Sequence, residues 1–494
     1  MTGITDRATE LDRVRFFING EWVEPAGTEQ KVVIEAATEE KIGIASLGTP
    51  TDIDRAVRAA RTALDDGPWA RTTASERAEL LVRFADALSA RAAETSTLVS
   101  RENGMPITLS EKSSGVLPAA ISRVYADLIR ATDLEEVRPN PNGTTLVRRE
   151  PVGVVGAIVP WNYPQSGAVI KLAPALAAGC TVVLKPSPET ALDPYILADA
   201  ALEAGFPPGV VNVVLGDRDA GAALVSHPLV DKVAFTGSTA AGRMVGAECG
   251  RDMRRMTLEL GGKSASLFLD DGDIDTFVGA LGQSSFANNG ATCSNQTRIL
   301  VHRSRYDEVI DGLAGWCRQQ VIGNPLDHEV TIGPMVSKQH LDRVMGYIEV
   351  ARQSEARLVV GGGRPTGLDR GWFVEPTVFA DVANTDRLAR EEVFGPVIAV
   401  IPFDDDDEAV AMANDSDFGL AGSVWTADDN RGLDLARRIK TGTIGVNNYV
   451  SDLGAPFGGV KGSGVGRELG PEGIAPYLEY KSMYVRPQAL ADQE

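Results

Sequence analysis

The chain has 494 residues, 43% of them hydrophobic, which is enough for about two or three domains with full cores. Its 48 Lys and Arg against 68 Asp and Glu give a net charge of −20. That balance argues against nucleic acid and anionic membrane as partners, since both need a basic face. The four histidines (His227, His302, His328, His340) show no ligand spacing and there is no C-x-x-C pair, so no metal site is expected.

In chain order, the first element is a hairpin, "VRFFING" then "EWVEP", turned at Asn19-Gly20. Residues 51–67 follow as a helix, with Thr51 as its expected N-cap, Ile53, Ala56, Ala60 and Leu64 on one face, and Gly67 as its stop. Helix continues from about Ser75 to Thr132, interrupted near "NGMP" (103–106). Segment 134–150 reads as two short strands around Pro-Asn-Gly. From 151 the text alternates. Strands "VGVVGAIV", "TVVLK", "VVNVV", "DKVAF" and "MTLEL" are separated by helices ending at Gly179 and Gly205. This pattern predicts a parallel sheet with helices on both faces, which binds ligands at the C-terminal ends of its strands. After Gly261-Gly262 a second α/β series begins, with strands "SASLFL" and "TRILVH" and helices over 273–286 and 304–319. The acidic run "DDDDE" (404–408) reads as a solvated turn, and 477–487 as a late strand.

The cysteines are Cys180, Cys249, Cys293 and Cys317. The charged N-terminus "MTGITDRATELDRVRFF" lacks an apolar signal core, and no run approaches a membrane span, so a cytoplasmic protein with reduced thiols is expected. Cys293 stands apart, in "FANNGATCSNQTR", among small and polar neighbours. As a nucleophile it needs room and nearby backbone N–H groups, which such a loop can supply, and a route to thiolate, which a base or the bound cofactor must provide. The plain alternative is a small buried residue. Glu259 closes an apolar strand at a Gly-Gly turn, where burial would suit it to general-base work; a strand-end carboxylate bonded to backbone N–H groups is the alternative. Asn162, in "PWNYP", stands at the end of the first core strand and could complete an oxyanion hole or merely form an Asx-turn. "LKPSPET" ends a strand at Lys185, and "FTGSTAAG" enters a helix with Gly237 and Gly242 spaced G-x-x-x-x-G. Helix N-termini attract phosphate, but this is not the G-x-G-x-x-G fingerprint. "GGKS" is not a phosphate loop either, because position 257 is Thr.

In order, the chain carries PWNYP, LKPSPET, FTGSTAAG, LELGGKS, FANNGATC, EEVFGPV (391–397) and PFGGVKGSGVGRE (456–468). Together these closely resemble the aldehyde dehydrogenase superfamily, whose members oxidise aldehydes to acids with NAD or NADP. The resemblance implies an α/β fold: a Rossmann-like cofactor domain (1–133 and 152–260), an α/β catalytic domain (261–463), and a small β oligomerisation arm with the C-terminal tail (134–151 and 464–494). It implies Cys293 as nucleophile, Asn162 as oxyanion donor and Glu259 as the base that hydrolyses a thioester. For the cofactor it implies Trp161, Lys185, Gly237, Ser238, Gly242, Glu392 and Phe394. For the aldehyde tunnel it implies Tyr163, Gly167, Ile170, Thr292, Ser294 and Phe457, a roomy and uncharged lining. The partner implied is a small-molecule aldehyde, and the assembly a homodimer or homotetramer. NAD-specific relatives often carry Glu three residues after the lysine; here Pro188 stands there and Glu189 follows, so the expected cofactor is NAD with tolerance for NADP. Two competing readings are a coenzyme A-acylating dehydrogenase, which commonly lacks the glutamate, and a non-catalytic protein of the same fold.

Overall fold

A computed structural model describes residues 11–486. The charged first ten residues and the last residue of the expected tail strand lie outside them. No helix among the described residues is long and apolar enough to cross a membrane.

The hairpin forms as read. Strands Phe16–Ile18 and Glu21–Val23 pair antiparallel across Asn19 (φ 57°) and Gly20 (φ 78°), the left-handed pair that a two-residue hairpin turn demands. The first long helix runs Pro50–Asp65, and its N-cap is Thr49 rather than Thr51. Pro50 is pre-set for the first helical position, and the Asp52 carboxylate accepts from the Thr49 N–H at 2.9 Å, which fixes the start two residues earlier.

An eight-stranded sheet carries the first α/β series. Its central strands Val154–Ile158, Thr181–Lys185, Lys232–Thr236 and Arg255–Glu259 run parallel, with Ile158 beside Lys185 and Thr236 beside Glu259. That register brings Lys185, Gly237, Glu259 and the Pro160–Pro164 turn to one edge of the sheet. Apolar clusters cover both faces, one built around the helices Ala74–Ala90 and Pro164–Ala178, the other around Pro50–Asp65. A seven-stranded sheet carries the second series, with Ala265–Phe268 and Arg298–His302 at its centre. Strands Glu135–Asn140, Gly143–Pro151 and Leu478–Val485 form a separate antiparallel sheet.

The stretch after 463 lays Gly464–Val465 antiparallel along Arg255–Glu259, with Gly464 opposite Glu259, before the chain reaches the strand Leu478–Val485. The reason is steric: a Cβ on Gly464 would lie 1.9 Å from the Leu258 carbonyl oxygen, so glycine alone permits the approach. The acidic run is no turn. Asp405 caps the helix Asp406–Asn414 by accepting from Glu408 N–H at 2.9 Å, and Asp406 makes a two-pronged ion pair with Arg431 at 2.8 and 2.7 Å. Carboxylates there complement the positive end of the helix.

Candidate active site

The loop around Cys293 owes its shape to its asparagines and Gly290. Asn288, Asn289 and Gly290 are consecutively left-handed (φ 52°, 58° and 81°), a run that only such residues sustain. A Cβ on Gly290 would sit 2.1 Å from the Gly395 carbonyl carbon, so the loop lies directly against the "EEVFGPV" segment. The Asn289 amide locks it from below, donating to Gly104 O at 2.8 Å and Pro334 O at 3.1 Å while accepting from Gly333 N–H at 2.7 Å. Asn288 Nδ2 donates to Asn162 O at 2.9 Å, and Asn103 Nδ2 donates to Trp161 O at 3.1 Å.

Asn162 is thereby clamped, and its own Nδ2 donates to Ala291 O at 3.0 Å, two residues before the thiol. One of its two amide protons is thus used in positioning, and the other is free to meet an oxyanion. Cys293 is partly exposed, whereas Cys180, Cys249 and Cys317 are buried; all four thiols are free. Burial pushes the Cys293 thiol up to about 12, and the Glu392 and Glu259 carboxylates push the same way. Backbone N–H groups of Ser294 and Cys293 oppose them. The resting sulfur is therefore a protonated thiol, with two donors already aimed at the negative form.

Glu259 is 3% exposed, and neither carboxylate oxygen has a hydrogen-bond partner. Burial first, then the Glu468 carboxylate, raise its pKa well above the ordinary range, while Lys171 and Arg467 pull the other way. The glycine run gives it space: a Cβ on Gly458 would sit 2.6 Å from Glu259 Oε1. Behind it lies a buried ion pair between Lys171 and Glu468, with Lys171 Nζ also donating to Thr236 Oγ1 at 2.7 Å. Sequence reasoning missed Lys171, although a lone lysine inside the apolar helix Pro164–Ala178 was a visible signal.

Glu392 lies flat on the Gly261-Gly262 backbone. Its Oε1 accepts from Gly262 N–H at 2.9 Å, and a Cβ on Gly261 would meet its Oε2 at 2.4 Å. Burial pushes this carboxyl up to about 7. Trp161, His340 and Phe394 pack edge to face beside it, with centroids 5.1 to 6.1 Å apart. His340 Nε2 bonds Phe394 O at 2.7 Å and Arg343 donates to Glu392 O at 2.7 Å, so the helix Lys338–Arg352 holds a segment whose Phe394 is left-handed at φ 65°. His340 carried no sequence signal because its partners are distant in the chain.

At the same sheet edge a cavity of about 790 Å³ opens between Ile158, Phe235, Val245, Lys185, Pro188 and Glu189. Its walls are largely apolar, and they carry Lys185 and Arg218 together with the carboxylates Glu189, Asp217, Asp219 and Glu248, a lining that suits an adenosine. Lys185 is buried, lowered to about 8 by that burial, and donates to Pro186 O at 2.7 Å and Gly216 O at 2.6 Å. Ser238 caps the helix Thr239–Arg251, whose N-terminus is an anion-binding end. Gly237 and Gly242 are needed for close packing, since Cβ atoms would meet the Phe235 ring at 2.6 Å and Leu260 at 2.4 Å. Pro188 leaves no gap in charge, because the Glu189 carboxylate lines the cavity one position later and accepts from Ser187 Oγ. The residues present therefore fit a dinucleotide: apolar walls, a helix N-terminus, and the separate carboxylate of Glu392.

Where the chain enters the helix Pro164–Ala178, Tyr163, Gly167 and Ile170 fall at i, i+4 and i+7. All three are partly exposed while Gln165, Ser166, Ala168 and Val169 are buried, so they form one open stripe. A Cβ on Gly167 would meet no atom within 4 Å. Tyr163 Oη and Thr292 Oγ1 are hydrogen-bonded at 2.8 Å. Tyr449, unforeseen in the sequence, bonds Thr443 Oγ1 at 2.9 Å and also reaches Ser294. Phe457 is held by a two-way backbone bridge with Glu468, at 2.7 and 2.8 Å.

Residues 22–483 match the model of the aldehyde dehydrogenase family. The chain is 52% identical over 476 residues to geranial dehydrogenase from Castellaniella defragrans, covering 96% of this chain and 99% of that one. It is 41% identical to 3-succinoylsemialdehyde-pyridine dehydrogenase of a Pseudomonas species, over 96% and 98%. Among solved structures, a Mycobacterium tuberculosis aldehyde dehydrogenase complexed with NAD+ superposes with a TM-score of 0.94 at 44% identity, over 97% and 99% of the two chains. A Pseudomonas syringae aldehyde dehydrogenase in complex with NAD+ and octanal does so at 0.92 and 37%, over 98% of each. Together with the cavity, the Glu259 and Glu392 carboxylates and the partly exposed thiol, these likenesses show that the chain belongs to the aldehyde dehydrogenase family, NAD-dependent enzymes that oxidise aldehydes to carboxylic acids.

Proposed function

We propose that Cys293 is the nucleophile, Asn162 the oxyanion donor and Glu259 the deacylation base for a bulky, uncharged aldehyde. The observation that carries this reading is the placement of Cys293, partly exposed, with its own N–H and that of Ser294 toward the sulfur and the Glu259 and Glu392 carboxylates within electrostatic reach. The Sγ proton passes to water, the thiolate adds to the aldehyde carbon, and the carbonyl oxygen becomes an oxyanion facing the Asn162 amide and the Cys293 N–H. NAD, when bound, supplies the hydride acceptor that converts this adduct into a thioester. Glu259 then takes a proton from water as its oxygen attacks the acyl carbon, and Sγ departs as thiolate. A carboxyl raised by burial is a stronger base than an ordinary one.

For the cofactor, Lys185, Ser238 and Gly237 serve the adenosine and pyrophosphate end, and Glu392, Phe394 and Trp161 the nicotinamide end. The Glu189 carboxylate on the cavity wall favours NAD over NADP. For the substrate, the lining Tyr163, Gly167, Ile170, Thr292, Ser294 and Phe457 has no charged member, and the open space at Gly167 suits a branched or terpenoid chain. The geranial dehydrogenase relative supports the same class. The buried glutamate disfavours the coenzyme A-acylating alternative, because its position serves activation of water. Residues 464–477 group with the cofactor domain, and the arm of 134–151 and 478–486 pairs with a second copy in a homodimer or homotetramer. Exposed Val137, Tyr480 and Tyr484 on that arm support such pairing. A cytoplasmic location fits the free thiols. The test is NADH formation from geranial, octanal and betaine aldehyde, with and without coenzyme A. Preference for the uncharged aldehydes without coenzyme A is expected; dependence on coenzyme A or preference for betaine aldehyde overturns the reading.

A further inference from the structure

Lys263 is unlike the other buried cations of the chain. It is 1% exposed, and its Nζ has no hydrogen-bond partner. Buried Lys171 and Lys232 each donate to a threonine, and Lys185 to two carbonyls. A buried amine without a partner costs stability, so some compensating interaction must act at a distance. Lys263 follows directly on Gly262, whose N–H donates to Glu392 Oε1 at 2.9 Å. The charged groups around Lys263 are Arg298, Glu392 and Glu391; those around Glu392 are Lys263 and Arg343, and the Cys293 thiol, protonated across neutral and mildly basic pH, faces it as well. Arg298 is engaged elsewhere, donating to Lys263 O, Met412 O, Ala413 O and Asn384 Oδ1. Arg343 donates to the Glu392 backbone carbonyl. This leaves Lys263 as the buried cation free to answer the Glu392 carboxylate.

We propose that Lys263 is a positioning residue, the counter-charge that keeps Glu392 ionised as the cofactor ribose seals it from water. The inference rests on Glu392 holding that ribose, as set out above. Ribose hydroxyls donate hydrogen bonds, so only the carboxylate serves them with both oxygens. Burial pushes Glu392 and Lys263 both to about 7, so a proton lost by the carboxyl has an acceptor in the neighbouring amine. Cofactor binding then converts a carboxyl and an amine into a carboxylate and an ammonium, with no net proton released.

The experiment measures NAD binding by calorimetry from pH 6 to pH 9.5, in buffers of different ionisation enthalpy, for wild type, Lys263→Met, Lys263→Gln and Lys263→Arg. Losing the cation moves the Glu392 midpoint to about pH 8, the small end of the effect of a nearby opposite charge. The ionised fraction at pH 7 falls from about a half to about a tenth, so Lys263→Met and Lys263→Gln should bind NAD about fivefold more weakly at pH 7 and equally at pH 9.5. They should also release close to one proton per NAD at pH 7, where wild type releases close to none. Lys263→Arg should restore neutral-pH affinity. An affinity loss that is the same at every pH, or unchanged proton release in both neutral variants, overturns the proposal. If the neutral variants fail to fold, proton release near one per NAD in wild type at pH 7 overturns it instead. Should Glu392→Gln bind NAD as wild type does, the ribose assignment itself fails, and the two failures are thereby told apart.

Discussion

Gly167→Leu tests whether the open stripe is the substrate tunnel. Gly167 lies in the helix Pro164–Ala178 with ordinary helical φ, and a Cβ there meets no atom within 4 Å. The substitution should therefore fold, and replacing glycine inside a helix contributes up to about 1 kcal/mol of stability. The isobutyl group must then occupy the space between Tyr163 and Ile170. A ten-carbon branched aldehyde would lose room for two or three of its methyl or methylene groups, at about 0.8 kcal/mol each. That is about 2 kcal/mol, or close to thirtyfold in kcat/KM. A three-carbon aldehyde reaches only the thiol end and should change by less than about twofold. The assay is NADH formation from geranial and from propanal, with thermal melting run alongside. A lowered Tm would refute the open space, and equal effects on both aldehydes would refute the placement of the tunnel.

Glu259→Gln keeps the shape but removes the base: one equivalent of NADH per site should form as a burst, and steady turnover should fall about a hundredfold or more. A mass shift on Cys293 would reveal the trapped acyl group, and loss of the burst would reassign Glu259 to thiol activation. Because burial and two carboxylates hold the Cys293 thiol near 12, the rate of iodoacetamide inactivation of the cofactor-free protein should rise about tenfold per pH unit from 7 to 10. A plateau near neutrality would contradict it. Glu189→Gln removes a carboxylate from the wall of the nucleotide cavity and should improve NADP relative to NAD by about tenfold in kcat/KM, a change of about 1.4 kcal/mol. An unchanged ratio would place discrimination elsewhere.

The sequence alone determined what local chemistry encodes. The Asn19-Gly20 turn, the helix stops at Gly179 and Gly205, and the alternation of apolar strands with helices depend on backbone conformations and periodicities that neighbouring residues set. Cys293 and Glu259 stood out as candidates, a thiol among small residues and a carboxylate ending an apolar strand, while the roles proposed for them came from the ordered set of motifs along the chain. Boundaries were less secure: Thr49 displaced Thr51 because a proline and a carboxylate together chose the first turn. What only the tertiary structure decided is which distant groups meet. Lys171 finds Glu468, Trp161 finds His340, Ser294 finds Tyr449, and Gly290 yields to Gly395, each across more than a hundred residues. No local preference carries that information. Whether the Glu259 carboxylate is raised or lowered depends on the summed burial and charge of groups brought together by the two sheets, and that sum exists only once the chain has folded.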